Sequence, residues 1–211
     1  WITFTATEYS MENNNSNSDV WIMPTNGSEA RKLTSSAKYD GSPKWKPDGS
    51  GIGFLSTRNG SAQIYFLSLA GGEARQMTDL PVDIEDFIWS PNGEKFAFTA
   101  NVFAEAKTLC ESAGIDKERE DSPVKAKVID HLLFRSWNRW TEGKRTHVFV
   151  CDNDGSNILD LTPGEYDAPP LDLYTDHPRP RTPNFKGARV PVPISPDTVR
   201  ALKRLAREED V

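Results

Sequence analysis

Residues 19–34 read DVWIMPTNGSEARKLT, residues 63–78 read QIYFLSLAGGEARQMT, and residues 147–162 read HVFVCDNDGSNILDLT. Each stretch is 16 residues long, with an aromatic third (Trp21, Tyr65, Phe149), glycine ninth (Gly27, Gly71, Gly155) and threonine last (Thr34, Thr78, Thr162). A short apolar run, a polar Asn-Gly, Gly-Gly or Asp-Gly centre and a second short run predict a β-hairpin, because those dipeptides supply the positive φ angles that tight turns demand. A second element precedes the hairpins. Pro43-Lys44-Trp45-Lys46-Pro47-Asp48-Gly49 matches Ile88-Trp89-Ser90-Pro91-Asn92-Gly93, and each leads into an alternating run, Gly51–Ser56 or Lys95–Ala100. Proline presets φ in such a turn and glycine accepts the left-handed position.

Three anchors share one spacing. Trp45 to Trp89, Phe54 to Phe98 and Asp19 to Gln63 are each 44 residues apart. A four-stranded unit recurring every 40 to 45 residues or so is the signature of a β-propeller blade. Strand a carries the Trp and the Pro-Asp-Gly turn, strand b the alternating Phe run, and strands c and d the 16-residue hairpin. Trp1–Ala6 fits strand b of an earlier copy whose strand a is absent. Two insertions interrupt the period: about six residues around Tyr9–Ser18, and about forty between Asn101 and Thr146. The expected fold is therefore all-β, a partial propeller of about three four-stranded blades, followed by a Pro-rich segment and one C-terminal α-helix.

Composition bounds the rest. The chain has 211 residues, net charge −6 and 36% hydrophobic residues, enough for a core. A pI near 5.2 argues against nucleic acid or an anionic membrane as the main partner. No apolar run approaches the roughly 18 residues of a spanning helix. The opening Trp1-Ile2-Thr3-Phe4 already alternates like a strand, without an initiator Met or a signal-peptide pattern, so the chain is expected to begin inside a larger protein. Nothing in the sequence assigns a compartment. Cys110 and Cys151 allow one bridge at most, and only if the second insertion folds back on the third hairpin.

The second insertion divides in two. Ala104–Asp121 is charged and reads as a short helix or a loop, while Val124–Phe134 alternates partly like a strand. Arg135, Trp137, Arg139 and Trp140 follow within six residues and form the candidate recognition patch. Aromatics bury large areas wherever they sit, so a hairpin packed on the propeller rim is the competing reading. Asp152-Asn153-Asp154-Gly155 resembles the opening of a calcium loop, but it lacks the distal Glu and coincides with a hairpin turn. No metal or cofactor is expected.

These blades resemble the propeller of the prolyl oligopeptidase family of serine peptidases. The stretch FRSWNRWTEGKRTHVFV, residues 134–150, is most similar to the dipeptidyl-peptidase and acylaminoacyl-peptidase branch. The resemblance covers residues 1–170. It implies a noncatalytic propeller that gates the access of peptides to a separate α/β-hydrolase domain carrying the nucleophilic serine. This chain has no Gly-x-Ser-x-Gly, and His131, His147 and His177 sit in strand-like or Pro-rich contexts, so no catalytic residue is assigned and no activity is expected of it alone. The alternative is a stand-alone propeller that binds another protein.

Character changes after Thr162. Nine of the 15 prolines lie between Pro163 and Pro196. Residues 1–170 carry a net charge of −8, residues 171–211 one of +2. Ser195, Pro196 and Asp197 form a helix start, and a helix is predicted over 196–209 with Val199, Leu202 and Leu205 on its apolar stripe. Its face of Arg200, Lys203, Arg204 and Arg207 reads first as a solvated outer face. Residues 171–211 resemble a segment of nonribosomal peptide synthetase condensation domains, through Asp176–Pro180, Phe185–Arg189 and the helix after Ile194. The His-His-x-x-x-Asp-Gly motif of those domains is absent. Two domains are therefore expected, 1–170 and an unrelated tail 171–211, joined near 167–172 as a fusion or chimera. Open sheet edges in a three-bladed piece predict self-association.

Overall fold

The computed structural model describes residues 1–124, 126, 135, 136, 139, 140 and 143–168, the four between 135 and 140 by backbone only. The tail, with its predicted helix over 196–209, lies outside the described residues.

Three antiparallel sheets follow the repeat. Blade 1 is β1 (Ile2–Ser10), β2 (Asn15–Met23) and β3 (Arg31–Lys32), in that order. Blade 2 is β4 (Asp40–Trp45), β5 (Gly51–Ser56), β6 (Gln63–Ser68) and β7 (Arg75–Gln76). Blade 3 is β8 (Asp86–Trp89), β9 (Lys95–Phe103), β12 (Lys144–Asp152) and β13 (Leu159–Asp160). Between β9 and β12 come α1 (Leu109–Asp121) and a small ladder of β10 (Arg135–Ser136) with β11 (Arg139–Trp140). Strands a to d of blades 2 and 3 are thus neighbours in sequence order, and blade 1 shows strands b to d.

The insertions fall differently from their sequence limits. The first lengthens strands rather than a loop: β1 pairs with β2 without interruption from Ile2↔Met23 to Ser10↔Asn15. Likewise β9 and β12 stay paired out to Phe103↔Lys144, so the second insertion proper is 104–143. Every residue kept in a ladder satisfies backbone donors and acceptors that a loop would leave to water. The c–d hairpins are wider than two-residue turns, with Trp21↔Lys32, Tyr65↔Gln76 and Phe149↔Asp160 as ladder pairs. The a–b turns behave as the sequence predicts. Gly49 and Gly93 sit at φ 71° and 70°, and their N–H groups donate to Lys46 O at 2.9 Å and Ser90 O at 2.8 Å.

Alternation gives each blade two faces. One carries Ile52, Phe54 and Tyr65 in blade 2 and Phe96, Phe98 and Phe149 in blade 3; we term it the leading face. The other, trailing face carries Val20 and Ile22 in blade 1, and Leu55 and Ile64 in blade 2. The leading face of one blade packs on the trailing face of the blade before it. Val20 clusters with Phe54 and Tyr65, while Leu55 and Ile64 cluster with Phe87, Phe96 and Phe98. The Phe98–Phe149 rings stack at 5.3 Å and Phe54–Tyr65 lie at 6.0 Å. These contacts form the main core.

Phe98 is fully buried at the blade 2–blade 3 contact. Phe98→Ala is expected to cost about 3–5 kcal/mol, read as a lower urea midpoint. Leu159→Ala, at an exposed site on outer strand β13, is the control and shifts it by under about 0.5 kcal/mol.

Candidate functional site at the crossover end of the blades

Antiparallel order places the b–c connections and the d-to-a crossovers at one end of every blade, and the a–b turns and c–d hairpins at the other. Both insertions are b–c connections, so all the length variation gathers at the crossover end. A scaffold of short turns on one side and variable loops on the other presents its binding surface on the loop side.

A repeated polar latch frames this end. In each blade the threonine closing strand d accepts from a backbone N–H of strand c: Val20 N to Thr34 Oγ1 at 3.0 Å, Ile64 N to Thr78 at 2.9 Å and Val148 N to Thr162 at 2.9 Å. Thr34 donates to Asp19 Oδ1 at 3.2 Å and Thr78 to Gln63 Oε1 at 2.9 Å. A side chain near the start of strand c then holds the crossover by a carbonyl, and in blade 2 by a second one, Val82 O at 3.0 Å. Asn17 Nδ2 donates to Ser36 O at 2.8 Å, Gln63 Nε2 to Leu80 O at 3.0 Å and His147 Nε2 to Gly164 O at 2.8 Å. Ser36, Leu80 and Gly164 each lie two residues past the latch threonine. Buried polar side chains persist because every one of these groups is paired.

Blade 3 builds its latch from a titratable ring. His147 is 2% exposed, and its Nδ1 donates to Asp160 Oδ2 at 2.7 Å. A carboxylate and a carbonyl are both acceptors, so the two contacts are hydrogen bonds together only in the imidazolium form, the form this geometry favours. Burial works against that charge. The Asp160 carboxylate, the Gly164 carbonyl and the more distant Asp167 outweigh it and raise the pKa above the ordinary histidine value. Blade 1 places the opposite polarity here, Lys32 Nζ on Asp19 at 2.6 Å, and blade 2 is neutral with Gln63 and Gln76.

The insertion rises from this frame. Thr108 caps α1 by accepting from Glu111 N at 3.1 Å, while Glu111 Oε2 accepts from Lys107 N at 2.7 Å. The helix is fastened to β9 by Ser112, whose hydroxyl accepts from Phe103 N at 3.1 Å, and by Arg119 over the Phe103 ring at 4.3 Å. Lys144 adds an ion pair to Asp116. Of the candidate patch, Arg135 pairs with Trp140 and Ser136 with Arg139 across β10–β11. The ladder brings Arg135, Arg139 and Trp140 together; Trp137 lies outside the described residues, as do the side chains of the other three.

Two readings of chemistry are settled by geometry. Asp152-Asn153-Asp154-Gly155 is the c–d turn of blade 3, with Asp152 held by Lys95 and Asn157, each at 2.6 Å. Cys110 and Cys151 are both free, and burial with the neighbouring Asp152 and Asp154 pushes the Cys151 thiol up to about 12. It is inert packing.

Sequence reasoning missed the pair Asp40–Arg58. Asp40 is fully buried at the start of β4; its Oδ2 accepts from Arg58 Nη2 at 2.8 Å, while its Oδ1 has no partner. The Arg58 guanidinium also covers the Phe54 and Tyr65 rings, at 5.6 and 4.8 Å. No other blade repeats this pair, so no period could flag it.

Comparison with known proteins places this architecture. The sequence pattern of the TolB beta propeller domain matches residues 8–120, more than half of the chain. The chain belongs to the TolB β-propeller domain family. This TolB-type propeller is also 25% identical over 178 residues to dipeptidyl-peptidase 5 of Porphyromonas endodontalis, an alignment covering 83% of the chain and 25% of that relative. A solved acylaminoacyl peptidase from Pyrococcus horikoshii superposes with a TM-score of 0.55 at 16% identity, over 76% of this chain and 23% of that one, which speaks to the fold. A stretch of 41 residues, 19% of the chain, is 51% identical to malpinin synthetase of Mortierella alpina. The chain spans about a quarter of the length of the curated peptidases it matches.

The latch gives the propeller a pH dependence. A histidine whose pKa is raised by folding contributes stability that is fully present below its unfolded value near 6.5 and is lost as pH rises through the higher folded value. The melting temperature is therefore expected to fall across that window. In His147→Gln, which adopts the Gln63 solution of blade 2, this histidine-dependent part of the fall disappears. An unchanged pH profile in the variant would contradict the imidazolium assignment.

Proposed function

We propose that this chain is the noncatalytic propeller of a serine peptidase, and that its crossover end narrows the access of peptides to an α/β-hydrolase domain outside the chain. The observation that carries the reading is the collection of both insertions, with Arg135, Arg139 and Trp140 on the β10–β11 ladder, at one end of a propeller related to dipeptidyl-peptidase 5. Arginine and tryptophan suit that task. A guanidinium binds a peptide carboxylate in a fixed fork, and an indole supplies a flat apolar wall. Chemistry would come from the partner domain, since the chain has no nucleophile elbow.

Two measurements test this. The purified chain is expected to remain unlabelled by a fluorophosphonate serine-hydrolase probe and to leave fluorogenic dipeptidyl substrates intact; labelling of the chain would overturn the noncatalytic assignment. Residues 1–168 grafted in place of the matching segment of the Porphyromonas endodontalis enzyme should support its peptidase activity. Trp137→Ala with Trp140→Ala in that graft is expected to raise kcat/KM severalfold for long peptides and leave dipeptidyl substrates unaffected. Equal effects on both would remove the gating role.

A second reading concerns the tail. The 41-residue likeness to malpinin synthetase, with the change in composition after Thr162, supports a fusion of a propeller with a piece of a peptide synthetase condensation domain. Long-read sequencing of the source DNA across codons 160–180 decides it. A read that continues from the crossover into further blades and a Gly-x-Ser-x-Gly elbow leaves the peptidase reading alone. A continuous read into a condensation domain establishes the fusion.

A further inference from the structure

Strand a of blade 2 is irregular where that of blade 3 is not. The β8–β9 ladder runs without a break from Asp86↔Thr99 to Trp89↔Phe96, but the β4–β5 ladder slips by one residue between Gly41 and Lys44. Ser42 lies in that bulge with φ at 51°, a left-handed conformation that serine adopts only at a cost. A slip of one residue exchanges the faces of a strand. Without it Gly41 would stand opposite Ser56; with it Asp40 does, on the leading face. Bulges of this kind re-aim a side chain beside binding and catalytic sites.

The re-aimed carboxylate holds one side chain. Asp40 is fully buried; its Oδ2 accepts from Arg58 Nη2 at 2.8 Å, and its Oδ1 has no partner. Arg58 Nε donates to Ser56 Oγ at 2.9 Å, and the guanidinium lies over the Tyr65 ring at 4.8 Å. The b–c connection that carries Arg58 is tied to the incoming crossover by Thr57 N, which donates to Tyr39 O at 3.0 Å. Blade 3 fills the places 44 residues on from Ser56 and Arg58 with Ala100 and Val102, which are 0% and 4% exposed. The same fold thus builds this corner from apolar residues, and such a replacement of a buried ion pair is often neutral or stabilising. Stability alone does not account for a bulge, a strained serine and a buried carboxylate with an idle oxygen at one place.

What the arrangement does secure is the orientation of Arg58. The side chain keeps 27% of its surface exposed at the crossover end. Of the five guanidinium N–H donors, the one on Nε and one on Nη2 are taken, and Nη1 has no partner among the described residues. The donors left over, two on Nη1 and one on Nη2, make the end-on fork that binds a carboxylate by two parallel hydrogen bonds. A guanidinium already fixed by a ring stack and two hydrogen bonds loses little further freedom on binding. We infer that Arg58 is a carboxylate-binding residue at the crossover end, that Asp40 is its positioning residue, and that the ligand is a peptide. The peptide nature of the ligand rests on the gating reading; the carboxylate chemistry rests on Arg58 itself.

The side-chain Nε–H resonance of Arg58, assigned by its loss in Arg58→Lys, reads the site in the full chain. Acetyl-trialanine with a free carboxylate, titrated into the millimolar range, is expected to shift that resonance saturably, and its C-terminal amide to bind roughly tenfold more weakly. An amidated acetyl-Ala-Glu-Ala that shifts it as well supports the site and extends it from chain ends to acidic side chains. Backbone amides of Thr57 and Asn59 report affinity in the variants. Arg58→Lys keeps the charge and loses the fork, so affinity should fall severalfold. Where that variant unfolds, Asp40→Asn with Arg58→Gln replaces the pair by a neutral one, and should abolish binding with unchanged circular dichroism. No shift with any of the peptides overturns the inference. So does an affinity left unaltered in folded Arg58→Lys or in the neutral pair. A free acid and an amide that bind alike overturn it too, since the contact would then not be to a carboxylate. The chain is used by itself throughout, so failure here leaves the peptidase reading to the probe and graft experiments.

Discussion

The hydrogen bond between the strand d threonine and the strand c backbone is the constraint on which the blades depend. Strand d contributes only two ladder residues in each blade, too few to hold itself. The threonine hydroxyl extends the ladder by one side-chain bond at Val20, Ile64 and Val148, and the next residues then turn away to cross to the following blade. Because the crossover leaves the sheet at that point, its carbonyls lose their ladder partners. The side chain at the start of strand c supplies the donor. The crossover therefore leaves each blade from a fixed point, and the apolar faces of successive blades pack beyond it.

How far this was legible in the sequence depends on whether each position is filled alike. Thr34, Thr78 and Thr162 are identical, so the repeat could be counted and the all-β propeller reading followed. The strand c partners are Asp19, Gln63 and His147, three chemistries for one place; the repeat aligns them by position, but no shared residue type says what they do there, and only the geometry does. The crossover carbonyl bond is harder still, since blade 1 uses Asn17, two residues displaced, where the others use Gln63 and His147. Extension of β1, β2, β9 and β12 through the insertions was hidden for another reason. Glu8, Asn15, Asn17 and Lys144 are poor strand formers alone, and it is pairing with a neighbour already in register that carries them. The candidate patch was legible as a cluster, and the ladder of β10 with β11 supplies the pairing that its spacing alone did not give.

Electrostatics at the latch are distributed rather than repeated. Lys32 with Asp19, Gln63 with Thr78 and Leu80, and His147 with Asp160 each close the same place with a different proton inventory. A neutral or permanently charged pair holds at any ordinary pH. Blade 3 alone depends on a proton, and it holds the crossover that leads to residues 163–168.

That crossover is built like the one before it. In blade 2, Ala62 N donates to Asp83 Oδ1 at 2.6 Å and Ile84 N to Ala62 O at 2.9 Å. In blade 3 the same two bonds recur as Thr146 N to Asp167 Oδ1 at 3.1 Å and Ala168 N to Thr146 O at 2.7 Å, 84 residues on in every member. Ile84 is two residues short of β8 in blade 2, so Ala168 stands at the position from which a chain enters the inner strand of a following blade. Up to that residue the sequence obeys the rules of the repeat, atom for atom in its crossover bonds, although Pro163, Gly164 and Pro169 already mark a change in composition. A boundary read from proline content alone would fall near 163. The hydrogen bonds carry the repeat on to Ala168.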